Sequence, residues 1–163
     1  MTHNSIILLT FILLCWNHLF IYATETKTCT DPAKSGALFN KQNVVTDHAD
    51  DAYSVVAGDF NNDGYLDLAS AGGSTNTIEW YNNTDGKGTF SNQIVVTTKA
   101  IGARSVVTGD FNNDGYLDLA SASHGDNTIA WYKNLDGKGN FGKQIVVTTN
   151  VNNAYSVVTA DIN

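Results

Sequence analysis

Gly58-Asp59-Phe60-Asn61-Asn62-Asp63-Gly64-Tyr65-Leu66-Asp67-Leu68-Ala69-Ser70 is the stretch that decides the fold, and it recurs unchanged at Gly109–Ser121. It begins a third time at Ala160-Asp161-Ile162-Asn163. Counted from the first aspartate, oxygen-bearing side chains fall at positions 1, 3, 5 and 9: Asp59, Asn61, Asp63 and Asp67, then Asp110, Asn112, Asp114 and Asp118. Gly64 and Gly115 stand at position 6. A hard cation such as Ca²⁺ takes six to eight oxygens at roughly 2.3–2.6 Å, and a short loop supplies them only by turning sharply around the ion. Alternate residues then point inward, glycine takes the turn that other residues resist, and the position-7 carbonyl (Tyr65, Tyr116) adds a neutral ligand.

The spacing matches the start of an EF-hand loop, without the bidentate Glu at position 12, where Ser70 and Ser121 stand. Strand-like apolar residues flank the loops where an EF-hand has helices. From Phe39 onward the chain repeats. Phe39, Phe90 and Phe141 are 51 residues apart, and Ser54-Val55-Val56, Ser105-Val106-Val107 and Ser156-Val157-Val158 keep that register. A fixed period of this size signals stacked supersecondary units. Each unit reads as four strands: Tyr53–Phe60, Leu66–Ala71, Thr77–Tyr81 and Phe90–Thr98, repeated from Arg104 to Thr149. Thr84-Asp85-Gly86-Lys87-Gly88 supplies the turn before the fourth. Valine and isoleucine on both strand faces suit a sheet covered on both sides. The expectation is an all-β fold: β-propeller blades of four antiparallel strands, at about 53–98 and 104–149, with a third truncated at 155–163. Trp80 and Trp131 are expected to pack between blades. Repeat units do not bury their faces alone, so a partial propeller points to a fragment of a longer chain carrying the remaining blades. Self-assembly into a closed ring is the alternative.

The chain has 163 residues and a formal net charge of −7, which argues against nucleic acid and anionic membrane surfaces as partners. Much of that charge lies in the two loops. Residues 1–23 contain no Asp, Glu, Lys or Arg, and Ile6–Trp16 is almost unbroken apolar sequence. This reads as a secretory signal cleaved after Ala23, hence a secreted, extracellular protein with no membrane insertion after cleavage. A signal anchor at the cell surface is the alternative. Residues 24–38 read as a linker, and residues 39–163 as the repeat region. Cleavage leaves Cys29 as the single cysteine, which excludes an internal disulfide.

These residues resemble the FG-GAP/VCBS repeat family, the calcium-binding propeller repeats also seen in integrin α-subunits. The matching motif stands at Asp59–Asp67 and Asp110–Asp118 and begins at Asp161–Asn163; the downstream Trp80-Tyr81 and Trp131-Tyr132 elements match too. The resemblance implies a seven-bladed propeller in the parent, with Ca²⁺ in the hairpin joining the first two strands of a blade. The ligands it implies are Asp59, Asn61, Asp63, the Tyr65 carbonyl and Asp67, then Asp110, Asn112, Asp114, the Tyr116 carbonyl and Asp118. Asp161 and Asn163 match positions 1 and 3 of a third site. The Phe-Gly and Gly-Ala-Pro sequences of the integrin version are absent, so integrin-type partners are not implied.

No nucleophile–base set recurs, and every candidate carboxylate is assigned to the acidic loops, so no catalytic residue is expected. His48 and His124 stand alone and read as surface residues. Gly86-Lys87-Gly88 and Gly137-Lys138-Gly139 lack phosphate-loop spacing and read as turns. Asn82-Asn83-Thr84 is a glycosylation sequon, with Asn82 as acceptor. The functional expectation is a non-enzymatic, calcium-binding module for adhesion or for an extracellular glycan or protein ligand. The alternative is an accessory region of a larger extracellular enzyme.

Overall fold

The computed structural model describes residues 43–160, together with the backbone of two short strands, β1 (Leu13–Cys15) and β2 (His18–Ile21). These pair antiparallel in the order β1-β2-β3 with β3 (Asn43–Val44). Other features expected before residue 43, including the cleavage point, the linker and Cys29, lie outside the described residues, as do Asp161 and Asn163.

The repeats form two four-stranded antiparallel sheets. The first holds β4 (Ala52–Gly58), β5 (Asp67–Gly72), β6 (Thr77–Tyr81) and β7 (Ile94–Thr97) in sequential order. The second holds β8 (Ala103–Gly109), β9 (Asp118–Ser123), β10 (Thr128–Tyr132) and β11 (Ile145–Thr148) in the same order. The described residues contain no helix. This is the blade architecture that the period predicts, as a partial propeller with no closed barrel among the described residues.

The fourth strand is shorter than expected. It starts at Ile94, and Phe90 touches the sheet only through an isolated bridge to Asn83. Asn43–Val44 pairs with β2 and not with a blade. Residues 155–160 carry no strand assignment, although Val157 is held from the side by Ser105.

The second strand of each blade, Asp-Leu-Ala-Ser-Ala, is buried along its whole length. Ala69, Ala71 and Ala122 are fully inaccessible, and small side chains there let the neighbouring sheet approach. The outer strands β7 and β11 instead expose Ile94, Val95, Ile145, Val146 and Val147. Burial on both faces therefore holds for the middle strands only, since an outer strand lies far from the contact between blades.

One core joins the two sheets, with Ala69, Ala71, Ile78 and Trp80 from the first and Ala103, Val106, Leu119 and Tyr132 from the second. Trp80 packs edge-on against Phe60 (centroids 6.0 Å apart) and against Phe141 of the other blade (6.5 Å). Phe60 also meets Phe141 at 5.9 Å. Edge-to-face contacts of this kind add roughly 0.5–1.5 kcal/mol each beyond area burial. Trp80 is thus an inter-blade residue as expected, whereas Trp131 is only half-buried.

The innermost strands are clasped by serine. The Ser54 hydroxyl accepts from Val106 N (3.2 Å) and donates to Val106 O (3.4 Å). Ser105 repeats this with Val157. The recurring Ser-Val-Val element therefore carries a lateral hydrogen-bond function as well as strand propensity.

Candidate functional site

Each acidic loop follows the end of an innermost strand, β4 or β8, and leads directly into the buried β5 or β9. Asx-type bonds wind it. Asp59 accepts from Asp63 N (3.1 Å) and Gly64 N (3.0 Å), Asn61 Oδ1 from Asp63 N (3.0 Å), and Asp63 Oδ1 from Tyr65 N (2.9 Å). Asp110, Asn112 and Asp114 make the same four bonds in the second copy. Side-chain oxygens thus stand in for the ladder that the backbone gives up at the hairpin.

The position-6 glycines adopt φ +88° and +86°, in the left-handed region where a Cβ is penalised. Position 4 does so too, with Asn62 at +57° and Asn113 at +58°. Asparagine is among the few non-glycine residues that tolerate this conformation. The tandem asparagines therefore have separate jobs: the first offers an oxygen, and the second turns the chain.

Position 9 is the buried end of the loop. Asp67 is fully inaccessible and staples two distant segments, accepting from Phe60 N (3.0 Å) and Asn83 N (2.8 Å). Asp118 does the same with Phe111 N (3.3 Å) and Asn134 N (2.8 Å). Burial pushes the Asp67 carboxyl above its ordinary value, against the pull of the Asn83 and Phe60 amides, and the charges of Asp63 and Asp59 add to the rise. Burial likewise raises Asp118, opposed by the Asn134 amide. Each carboxylate oxygen keeps a further lone pair beyond the amide it accepts.

Asp59, Asn61, Asp63 and Asp67 are thus brought to one hairpin, as are Asp110, Asn112, Asp114 and Asp118. The donors are all oxygens, and the glycine turn is the one a hard-cation loop requires, so the residues fit Ca²⁺ in kind. Among the described residues no three His, Cys, Asp or Glu side chains close to metal-holding distance. The carboxylates are turned toward loop amides instead. If calcium is held, Asp59, Asn61, Asp63, Asp67 and the Tyr65 carbonyl would hold it in the first copy, and their counterparts in the second.

A family model described as FG-GAP-like repeat matches residues 59–121 and again residues 110–163. The chain belongs to the FG-GAP-like repeat family. The matched stretches each start at position 1 of an acidic loop, so the loop and the FG-GAP-like period share one register. Comparison with curated proteins and with solved structures returned no match.

Several residues around these FG-GAP-like loops take on roles that loop spacing alone does not reveal. Asn134 is fully buried at the blade junction; its Nδ2 donates to Phe60 O (2.8 Å) of the first loop and to Leu117 O (3.2 Å) of the second. Asn62 Nδ2 donates to Gly137 O (3.0 Å), which ties the first loop to the outer turn of the next blade. The recurrence of Asn83 and Asn134 at the repeat spacing was the available signal. Tyr65 and Tyr116 lie over Gly86 and Gly137 of their own blades' outer turns, so the position-7 residue has a packing role beside its carbonyl.

Glu79 corrects the assignment of every carboxylate to the loops. It is buried mid-strand and accepts from Tyr81 Oη (3.1 Å), which also meets Ser70 Oγ (3.2 Å). Burial pushes Tyr81 up to about 12. The second blade has Ala130 at that place.

His48 is exposed beside Asp47, and His124 is half-buried with its ring against Tyr155 (4.7 Å). The Gly-Lys-Gly segments are turns, each closed by an aspartate, Asp85 or Asp136, that accepts from the lysine amide. Asn82 is half-buried, and its Oδ1 accepts from Asn61 Nδ2 (3.2 Å).

At the other end of the innermost strands, Tyr53 and Arg104 sit at register shifts, where each blade inserts one extra residue. Such bulges re-aim a side chain. The Arg104 guanidinium lies 3.8 Å from the Tyr53 ring centroid and 5.6 Å from that of Tyr155. Tyr53 and Tyr155 remain 40% and 56% exposed.

Proposed function

We propose that this chain is a secreted or cell-surface calcium-binding propeller repeat module. It serves adhesion, or the binding of an extracellular carbohydrate or protein, and not catalysis. The observation that carries the reading is the pair of identical all-oxygen loops, each wound by its own Asx bonds and each anchored through a buried aspartate. Three carboxylates per loop repel one another, and a divalent cation relieves that repulsion while pinning the hairpin. Calcium is then structural: it fixes the loops so that neighbouring blades present a steady surface. The exposed Tyr53–Arg104–Tyr155 rail supports the ligand-binding part, because aromatic faces beside a cation suit sugar rings and peptide side chains. We further propose Asn82 as a glycan acceptor.

Thermal denaturation across a calcium titration tests the reading. Each site filled to ten times its Kd adds about 1.4 kcal/mol, so millimolar calcium raises Tm by several degrees when Kd is on the order of 10⁻⁴ M. Asp63→Ala combined with Asp114→Ala removes the rise. A melting curve unchanged by millimolar calcium defeats the proposal. A glycan array, probed with and without Tyr53→Ala, tests the carbohydrate branch.

A further inference from the structure

The two loops are identical in sequence from Gly58 to Ser70 and from Gly109 to Ser121, so any difference between them comes from their neighbours. The neighbour directly after the third strand differs. It is Asn82 in the first blade and Lys133 in the second. Asn82 is neutral and turns its Oδ1 toward Asn61 of the first loop. Lys133 Nζ stands 3.0 Å from Asp114 Oδ2, inside the charge set of the second loop.

The loop interior responds. In the first copy Asn61 Nδ2 donates to Asp63 Oδ2 at 2.8 Å. In the second, the matching oxygen of Asp114 belongs to Lys133, and the buried Asn112 Nδ2 is left without a partner. The first loop is also braced by the next blade through Asn62 and Gly137.

We propose that Lys133 is a built-in counter-cation of the second loop, and that the residue at 82 or 133 sets unequal affinities, with the first loop filling before the second. The inference rests on the calcium reading above and assigns a role to residues outside the repeated loop. The first loop offers an incoming divalent cation three carboxylates with no ammonium or guanidinium paired to them among the described residues. The second offers three carboxylates already partly neutralised, and the cation must displace or tolerate an ammonium. The same ammonium stabilises the calcium-free second loop.

Calorimetric titration of the full chain with CaCl₂ at low salt, on protein from a bacterial host that adds no glycan, tests this. Asp63→Ala and Asp114→Ala isolate the second and the first site respectively. The expected result is two unequal sites, the weaker one lost in Asp114→Ala. Lys133→Asn tightens the second site by about five-fold, the upper end for a solvent-accessible ion pair. Asn82→Lys weakens the first site comparably. In calcium-free buffer the melting temperatures move the opposite way: down in Lys133→Asn, up in Asn82→Lys. Higher salt narrows the gap between the wild-type sites. Two equal sites, indifferent to Lys133→Asn, overturn the inference while leaving calcium binding intact. No binding heat, together with no calcium-dependent change in melting, sinks the calcium reading and the inference with it.

Discussion

Phe60 and Phe111 occupy the same position of the same thirteen-residue motif, and among the described residues only Phe60 has the phenylalanine of a following blade, Phe141, packed on it. Phe60 is fully buried, edge-on to Trp80 and to Phe141 of the second blade. Phe111 is 41% exposed. Truncating both to alanine, one at a time, is therefore a comparison with its own control. Phe60→Ala removes a ring from a packed junction, which costs about 3–5 kcal/mol by the range for buried Phe→Ala changes. That range already includes the lost transfer free energy and the cavity. Two edge contacts of roughly 0.5–1.5 kcal/mol each place the value toward its upper half. Phe111→Ala removes a ring that is only partly covered and costs about 1–2 kcal/mol. Urea unfolding followed by tryptophan fluorescence reads both, and a leucine at position 60 gives an intermediate value if the alanine variant is too unstable to handle. Equal losses at 60 and 111 would refute the reasoning, because the motif itself, and not the blade junction, would then be what holds the phenylalanine.

Two further outcomes follow from local geometry. Gly137 has φ +66°, and a Cβ there would run into the Tyr116 ring and lie 2.7 Å from Asn62 Nδ2. Gly137→Ala is expected to cost about 2–4 kcal/mol, against about 1–2 for Gly88→Ala, where φ is +92° but the space is open; equal costs in denaturant melts would show that the contact is unimportant. The Tyr81 phenol, pushed by burial to about 12, keeps its proton longer folded than unfolded. Its contribution to stability is complete below pH ~10 and is lost as pH rises toward 12, up to about 2–3 kcal/mol. Tyr81→Phe should flatten that alkaline loss in a pH series of unfolding curves, and an unchanged slope would count against a buried phenol.

The strand plan was legible because each blade repeats its signals in register. Thr77–Tyr81 was read to the residue, and the loop's glycine turn followed from position alone. The fourth strand was read too long, since Phe90 and Phe141 look like strand residues but serve as a bridge and a junction contact. Local spacing specifies the oxygens of the acidic loop but not the binding partners that lie 16 to 75 residues away, such as Asn83 with Asp67 and Gly137 with Asn62. Glu79 was missed because a single acidic residue in an apolar strand reads as an outward-facing one.

By itself, the sequence determined the period, the all-β blades, the acidic hairpins and the glycine at each turn. Local spacing and backbone sterics are enough for these, and both copies obey them alike. Only the tertiary structure decided what differs between two identical motifs. Phe60 is sealed while Phe111 is open, and Asn62 is braced by a neighbouring blade. One loop faces a neutral Asn82, and the other faces the Lys133 ammonium. The reason is physical: a repeat fixes its own hydrogen bonds within a few residues, but burial and charge depend on what the next blade and the adjoining strand place beside it.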